Sequence, residues 1–236
     1  MRFLLSLLLI TTLACRENPS PESQAIVTAA NETTATVAPA PVAPAVNGPK
    51  LMPVDEASSD PSLVAFRNDL IAAVRRGDVE AVVALADPNV RTSFGNGGGA
   101  AELRRMLAEG PLMKDLEQIL PLGGKFMGPA DQRTFWAPYV YSAWPEDRDA
   151  FTSLVVIGEN IALRESPDAN ARIVATLSHD ILEFQGEKPG QWSEVKTADG
   201  RTGWVEQRFV LSPVGYRAGF QKVDGRWRLR ALVAGD

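Results

Sequence analysis

Trp192-Ser193-Glu194-Val195-Lys196 is followed closely by Asp199-Gly200-Arg201-Thr202-Gly203-Trp204-Val205, so that two short runs meet at an Asp-Gly pair. Alternation of apolar and polar residues at a period of two marks a half-buried strand. Asp-Gly between two such runs marks a hairpin, and the expected turn is type I′, with positive φ at both central residues. Gly203, having no side chain, leaves room for Trp204 to lie against the neighbouring strand. Upstream, Leu154-Val155-Val156-Ile157, Ile161-Ala162-Leu163-Arg164, Ile173 to Ser178 and Asp180 to Phe184 are further short runs separated by turn residues, and Phe209-Val210-Leu211 closes the series. Many short strands at this spacing predict a small barrel or sandwich. Alternation places Ile161 and Leu163 on one face, with Ala162 and Arg164 on the other.

Three of these motifs, in order, resemble the bacterial SH3 (SH3b) family. Ile161-Ala162-Leu163-Arg164-Glu165-Ser166-Pro167 is similar to the family's opening strand, Trp192 with Val195 to its central strand, and Asp199 to Val205 to its Asp-Gly-x-x-Gly-Trp-Val hairpin. The resemblance implies a small SH3-like β-barrel over residues 151–213, with Trp204 inside it, and a role in contact. Peptidoglycan stem peptides or an envelope protein are the implied partners. Proline-helix recognition on an aromatic shelf is not expected, because Arg164 and Glu165 stand where aromatics would lie. Trp192 and Trp204 read first as structural. Together with Arg164 they also form the candidate ligand rim.

Before the barrel, residues 61–150 read as a helix-rich α+β domain. Asp60 caps and Pro61 opens a helix carrying Leu63, Phe66, Leu70 and Val74. Gly77-Asp78 starts a second helix that runs to Asp87-Pro88, and a strand is expected from Val90 to Phe94. The cluster Gly95-Asn96-Gly97-Gly98-Gly99 lacks the Gly-Lys-Ser/Thr ending of a phosphate loop, so it reads as a turn before a third helix, Ala100 to Glu109. Phe135 to Trp144 packs five aromatics into ten residues, which reads as core or as the seam between two domains. After the barrel, residues 214–236 form a hairpin turning at Asp224-Gly225. Trp227, Leu229, Ala231 and Val233 alternate there with Arg226, Arg228, Arg230 and Leu232, giving a buried face and a basic one. This hairpin is assigned to the helical domain. With the opening helices it resembles the ends of the NTF2-like cone fold. The fold class is therefore α+β: an SH3-like barrel plus a helical α+β domain completed by a C-terminal β-hairpin.

The N-terminus sets the expected compartment. Arg2, the apolar run Phe3 to Ile10 and Thr12-Leu13-Ala14-Cys15 form a secretory signal, too short for a membrane span of about 20 residues. The last four residues resemble a lipobox, which implies lipid on Cys15 and anchoring on the periplasmic or outer side of a membrane. Arg16 resembles the pattern sent to the outer membrane of a Gram-negative cell. Residues 16–60, rich in Pro, Ala and Thr, read as a disordered tether.

The formal charge of −5 argues against nucleic acid as a partner. One cysteine and one histidine, His179, leave no Cys–His pair and no multi-histidine zinc site, and no cofactor is expected. The protein is accordingly expected to be no enzyme. A glycosidase needs two carboxylates across a cleft, for which Glu102, Glu109 and Asp115 are the candidates to locate. A purely structural subunit of an envelope complex is the other alternative.

Overall fold

The computed structural model describes residues 44–95, 97–130, 132–188 and 190–235. Cys15 and the tether up to residue 43 lie outside the described residues. Helix α1 (Pro61–Arg75) begins as its sequence requires, the Asp60 carboxylate accepting from the amides of Ser62 (2.9 Å) and Leu63 (3.2 Å). The Asp78 carboxylate caps α2 (Val79–Ala84) in the same way, through the Ala81 amide. The second helix stops three residues short of Asp87, and strand β1 (Ala86–Arg91) starts earlier than the expected Val90. The reason is position: β1 is an edge strand, where the missing amide of Pro88 costs no ladder bond. The glycine run then turns back on β1. Gly99 N donates to Val90 O at 2.7 Å, and a Cβ on Gly98 would sit 2.7 Å from that carbonyl.

Helices α3 (Ala100–Glu109) and α4 (Leu112–Ile119) lead to strands β2 (Lys125–Met127) and β3 (Thr134–Ala137) and a short α5 (Tyr139–Ser142). The chain returns to this sheet only at β11 (Arg217–Val223) and β12 (Arg226–Val233), giving the order β1-β12-β11-β3-β2. The pair β1–β12 is parallel and the rest are antiparallel. Leu63, Phe66 and Leu70 of α1, with Leu103 and Leu116, pack against Phe135, Phe220 and Leu229 of the sheet. Phe66 meets Phe220 edge-on at 5.5 Å.

The closing hairpin departs from simple alternation. Gly219 pairs with Ala231 but Phe220 pairs with Leu229, so Arg230 is an extra residue in a β-bulge. The bulge changes the parity, and Leu229 and Leu232 therefore share the helix-facing core. Arg230 meets Asp87 at 2.7 Å, and Arg228 donates to Ala84 O at 2.8 Å, so part of the basic face is satisfied within the chain.

Between α5 and β11 the chain builds a second sheet from β4 (Ser153–Val156), β5 (Ile161–Arg164), β6 (Ile173–Leu177), β7 (Ile181–Lys188), β8 (Trp192–Lys196), β9 (Thr202–Glu206) and β10 (Val210–Leu211). Its order is β10-β4-β7-β8-β9-β5-β6. Val156, Leu163, Ala175, Leu177, Leu182, Val195, Val205 and Val210 fill its interior. A ninth buried residue of that interior is Val46. Residues 44–60, read from the sequence as the end of a disordered tether, are thus built into the fold. A 3-10 turn at Glu56–Ser59 precedes α1, and the Arg67 guanidinium holds Asp55 through two hydrogen bonds of 2.9 and 2.6 Å. A tether reading based on composition misses this because the anchors are single, scattered side chains, apolar at Val46 and charged at Asp55.

A third cluster joins the sheets. Leu51, Tyr139, Val140, Val155 and Ile181 are buried together, with Leu122 and Leu211 against them. The aromatic run is therefore divided: Phe135 is core of the first sheet, and Tyr139 is seam.

Candidate contact surface

The hairpin at the centre of the sequence reading pairs Lys196 with Thr202, Glu194 with Trp204 and Trp192 with Glu206. Its turn is not type I′. Gly200 has φ +87° whereas Asp199 is not among the positive-φ residues, and Gly200 N donates to Thr197 O at 2.9 Å. This is a three-residue loop with a glycine in the left-handed region. The Thr197 hydroxyl donates to the Asp199 carboxylate at 2.6 Å, and Arg201 also binds that carboxylate. The Arg201 and Thr197 hydrogen bonds hold the Asp199 carboxyl well below the usual carboxylate range. The type I′ geometry belongs instead to the last hairpin, where Asp224 (φ +51°) and Gly225 (φ +76°) both adopt it.

Gly203 also serves a different purpose from the expected one. A Cβ there would lie 2.6 Å from Arg164 O and 2.9 Å from the Leu163 side chain, so the glycine lets β5 close against β9. Val205 faces the interior, and alternation along the regular β8–β9 ladder turns Trp204 to the opposite face. Trp204 is 6% exposed but does not belong to the barrel's interior cluster. Trp204 is thus buried as expected, but on the face opposite the interior cluster and not within it. Its cross-strand neighbours are Arg164 on β5 and Glu194 on β8.

Arg164, Trp192 and Trp204 therefore share the outer face of β5, β9 and β8, with Glu194 and Glu206 between them. Trp192 stands diagonally from Trp204, within the roughly 7–8 Å reach of such pairs. Arg164 donates to Ala171 O at 2.8 Å, which ties this face to the loop after β5. Across that loop Arg172 grips Glu165 at 3.0 Å and lowers its carboxyl pKa. At the other margin Arg208 meets Glu206 at 2.8 Å. The result is a half-buried tryptophan, Trp192, on a rigid sheet among alternating charges. It suits a peptide carrying both charge signs better than a uniformly charged polymer.

The remaining candidates lie elsewhere. Glu102 and Glu109 are both held by Arg105 on the exposed face of α3, at 2.6 and 2.9 Å, so they do not face each other across a cleft. Asp115 is half-buried on α4, and burial raises its pKa. His179 is buried, with Glu159 3.6 Å from its Nε2. Among the described residues, no group of three or more His, Cys, Asp or Glu is placed to hold a metal ion. Sequence reasoning missed an open cavity of about 450 Å³ bounded by Phe126, Arg133, Lys222, Trp227 and Asp60. Lys222 meets Asp60 at 2.7 Å and lies 5.2 Å from the Trp227 ring centre, while Arg133 lies 4.6 Å from that of Phe126. Each ring therefore carries one cation near it.

Residues 158–211 match the family model of the bacterial SH3 domain. Comparison with curated proteins finds no relative. Among solved structures, the chain is similar to an NTF-2 like protein from Shewanella oneidensis MR-1, at 14% identity and a TM-score of 0.27, over 74% of this chain and 97% of that one. It is also similar to a protein from Xanthomonas campestris described as a calcium/calmodulin dependent protein kinase II association domain, at 12% identity and a TM-score of 0.26, over 78% and 96%.

Proposed function

Because residues 158–211 are a bacterial SH3 domain, we propose that the protein is a non-catalytic contact module of a bacterial cell envelope. Its barrel binds peptidoglycan stem peptides or an envelope protein through the outer face of β5, β9 and β8. The observation that supports this reading most is the convergence of Arg164, Trp192, Glu194 and Glu206 on one face of the family-matched barrel. Lipid on Cys15 holds the protein at a membrane facing the periplasm or the cell exterior, and the residues up to 43 are its tether. No nucleic acid and no cofactor take part. Scattered carboxylates, with Glu102 and Glu109 sharing one arginine, favour binding over a glycosidase reaction.

Three measurements test the proposal on the full chain. In co-sedimentation with purified cell wall and with detergent-solubilised envelope proteins, Trp192→Ala and Arg164→Ala should each weaken binding at least about tenfold, as expected for loss of an aromatic or arginine anchor. Binding unchanged in both variants would remove the outer face from the reading. Muropeptide release abolished by a single Glu or Asp substitution would make the protein a hydrolase. Mass spectrometry of the mature N-terminus from a native host should find acyl chains on Cys15, and an unmodified peptide there would end the lipid assignment.

A further inference from the structure

The segment Pro44 to Leu51 lies on the barrel as a bound peptide would. Thr176 N donates to Pro44 O at 3.2 Å and Val46 N to Thr176 O at 3.3 Å, so the segment pairs with the outer side of β6, where no other strand lies among the described residues. Beyond a bend at Gly48 the segment pairs again, now antiparallel to the turn that leads into β7, with Ile181 N donating to Pro49 O at 3.0 Å and Leu51 N to His179 O at 2.9 Å. The Arg201 guanidinium donates to the carbonyl oxygens of both Pro44 and Ala45. Two side chains carry recognition. Val46 is 4% exposed and enters the barrel interior. Four residues on, the Lys50 ammonium reaches the buried Asp180 carboxylate at 3.0 Å and Ser178 O at 2.7 Å. Ala45, Asn47 and Gly48 between and beside these anchors stay exposed. Main-chain pairing at a sheet edge, with pockets for alternate side chains, is how extended peptides are captured by strand addition.

We infer that residues 44–51 are an intramolecular ligand of the barrel, a latch on the β6 edge that a partner strand of like chemistry can replace. The partner is an extended peptide with a small branched residue for the Val46 site and a cation four residues later for Asp180. The latch is a second docking place, separate from the outer face proposed above, and the two fail separately, since the segment is held by hydrogen bonds to β6, to the turn before β7 and to Arg201, residues outside the Arg164–Trp192 face.

The test uses the full chain with a protease site inserted after the exposed Met52 (57% exposed). Before cleavage, tethering holds the latch at an effective concentration near millimolar, and a fluorescent peptide spanning residues 42–52 should bind poorly. After cleavage the same peptide should exchange with the severed segment and bind at least about 100-fold more tightly, with the circular dichroism spectrum unchanged. A peptide carrying Val46→Asp should lose at least tenfold, and the uncut Val46→Asp chain should take up the wild-type peptide. Loss of folded structure on release of the severed segment, or absence of exchange in a folded, cleaved chain, would overturn the inference and make residues 44–51 a permanent strand.

Discussion

Trp204 and Leu163 sit within one strand pairing of each other but on opposite sides of the barrel wall. Leu163 is fully buried among apolar side chains, while the neighbours of Trp204 across the strands are Arg164 and Glu194. Long polar side chains can fold into the space an indole leaves, whereas a closed core cannot. Leu163→Ala is therefore expected to cost about 3–4 kcal/mol and Trp204→Ala only about 2 kcal/mol, measured as shifts in urea midpoint. A larger cost at Trp204 would return it to the interior. Charge at single residues is testable as well. Burial pushes the Asp55 carboxyl up, but hydrogen bonds from Arg67 and from the Ala57 amide, with the Arg67 charge, outweigh it and leave the pKa lowered. A lowered folded-state pKa stabilises the fold above the unfolded value of about 3.9 and loses that contribution as pH falls through the folded value. The urea midpoint should thus drop below about pH 4, and Asp55→Asn should flatten that part of the profile. Asp55→Ala should destabilise at neutral pH by about 2 kcal/mol, because it strands Arg67, which is 8% exposed. An Asp55→Asn profile as steep as that of the unsubstituted chain would show that other carboxylates set the acid limb.

The two Asp-Gly turns show which features of the elements can be read from sequence. Both were legible as turns, because Asp-Gly between two alternating runs is among the few pairs that reverse the chain without strain. Their types were not, because type depends on the register of the strands that meet there. Past the Lys196–Thr202 pair, Thr197 N donates to Arg201 O and leaves a three-residue loop, while Val223–Arg226 pairing leaves only Asp224 and Gly225. The difference predicts opposite sensitivities. Asp224 holds φ +51° and Asp199 does not, so Asp224→Val should cost about 1–2 kcal/mol through left-handed backbone strain, while Asp224→Gly should cost nothing measurable in thermal midpoint. Equal behaviour of the Val and Gly variants would mean that the turn relaxes to another type. The bulge at Arg230 was illegible for a related reason. Arg226 to Ala231 alternates regularly and Leu232 then falls on the basic side, but only the pairing of Phe220 with Leu229 shows the parity break that brings Leu232 to the core. The helix starts at Asp60 and Asp78, by contrast, were fully legible, since a cap acts on amides two or three residues away. That Arg164, Trp192 and Trp204 share a face follows from period-two alternation once the strand order is known.

At the scale of the whole molecule, the barrel is an insertion between α5 and β11, and the sequence motif that marks it stops short of what stabilises it. Residues 153–211 contain every strand of the second sheet, yet Val46 fills part of its interior from outside that range. Val155 and Ile181 on its flank are covered by Leu51, Tyr139 and Val140, again from outside. A domain of about 60 residues is marginal on its own because it buries a smaller fraction of its surface than a larger domain does. Removing one interior valine and three seam contacts should cost it several kcal/mol, at about 1.5–3 kcal/mol per large apolar side chain, which is comparable to the whole stability of such a unit. The excised segment 153–211 is therefore expected to be unfolded or loosely packed, with little near-ultraviolet dichroism from Trp192 and Trp204. A chain spanning residues 44–235 should melt in one calorimetric transition, because the seam couples the two sheets and Gln118 of α4 reaches Arg208 O at 3.2 Å. Leu51→Asp places a charge at the centre of that seam and should split the single transition into two, the barrel melting first because its interior is the smaller. Two transitions in the unsubstituted chain, or a sharp independent melt of the excised segment, would show instead that the barrel stands alone and that the seam contributes little to its stability.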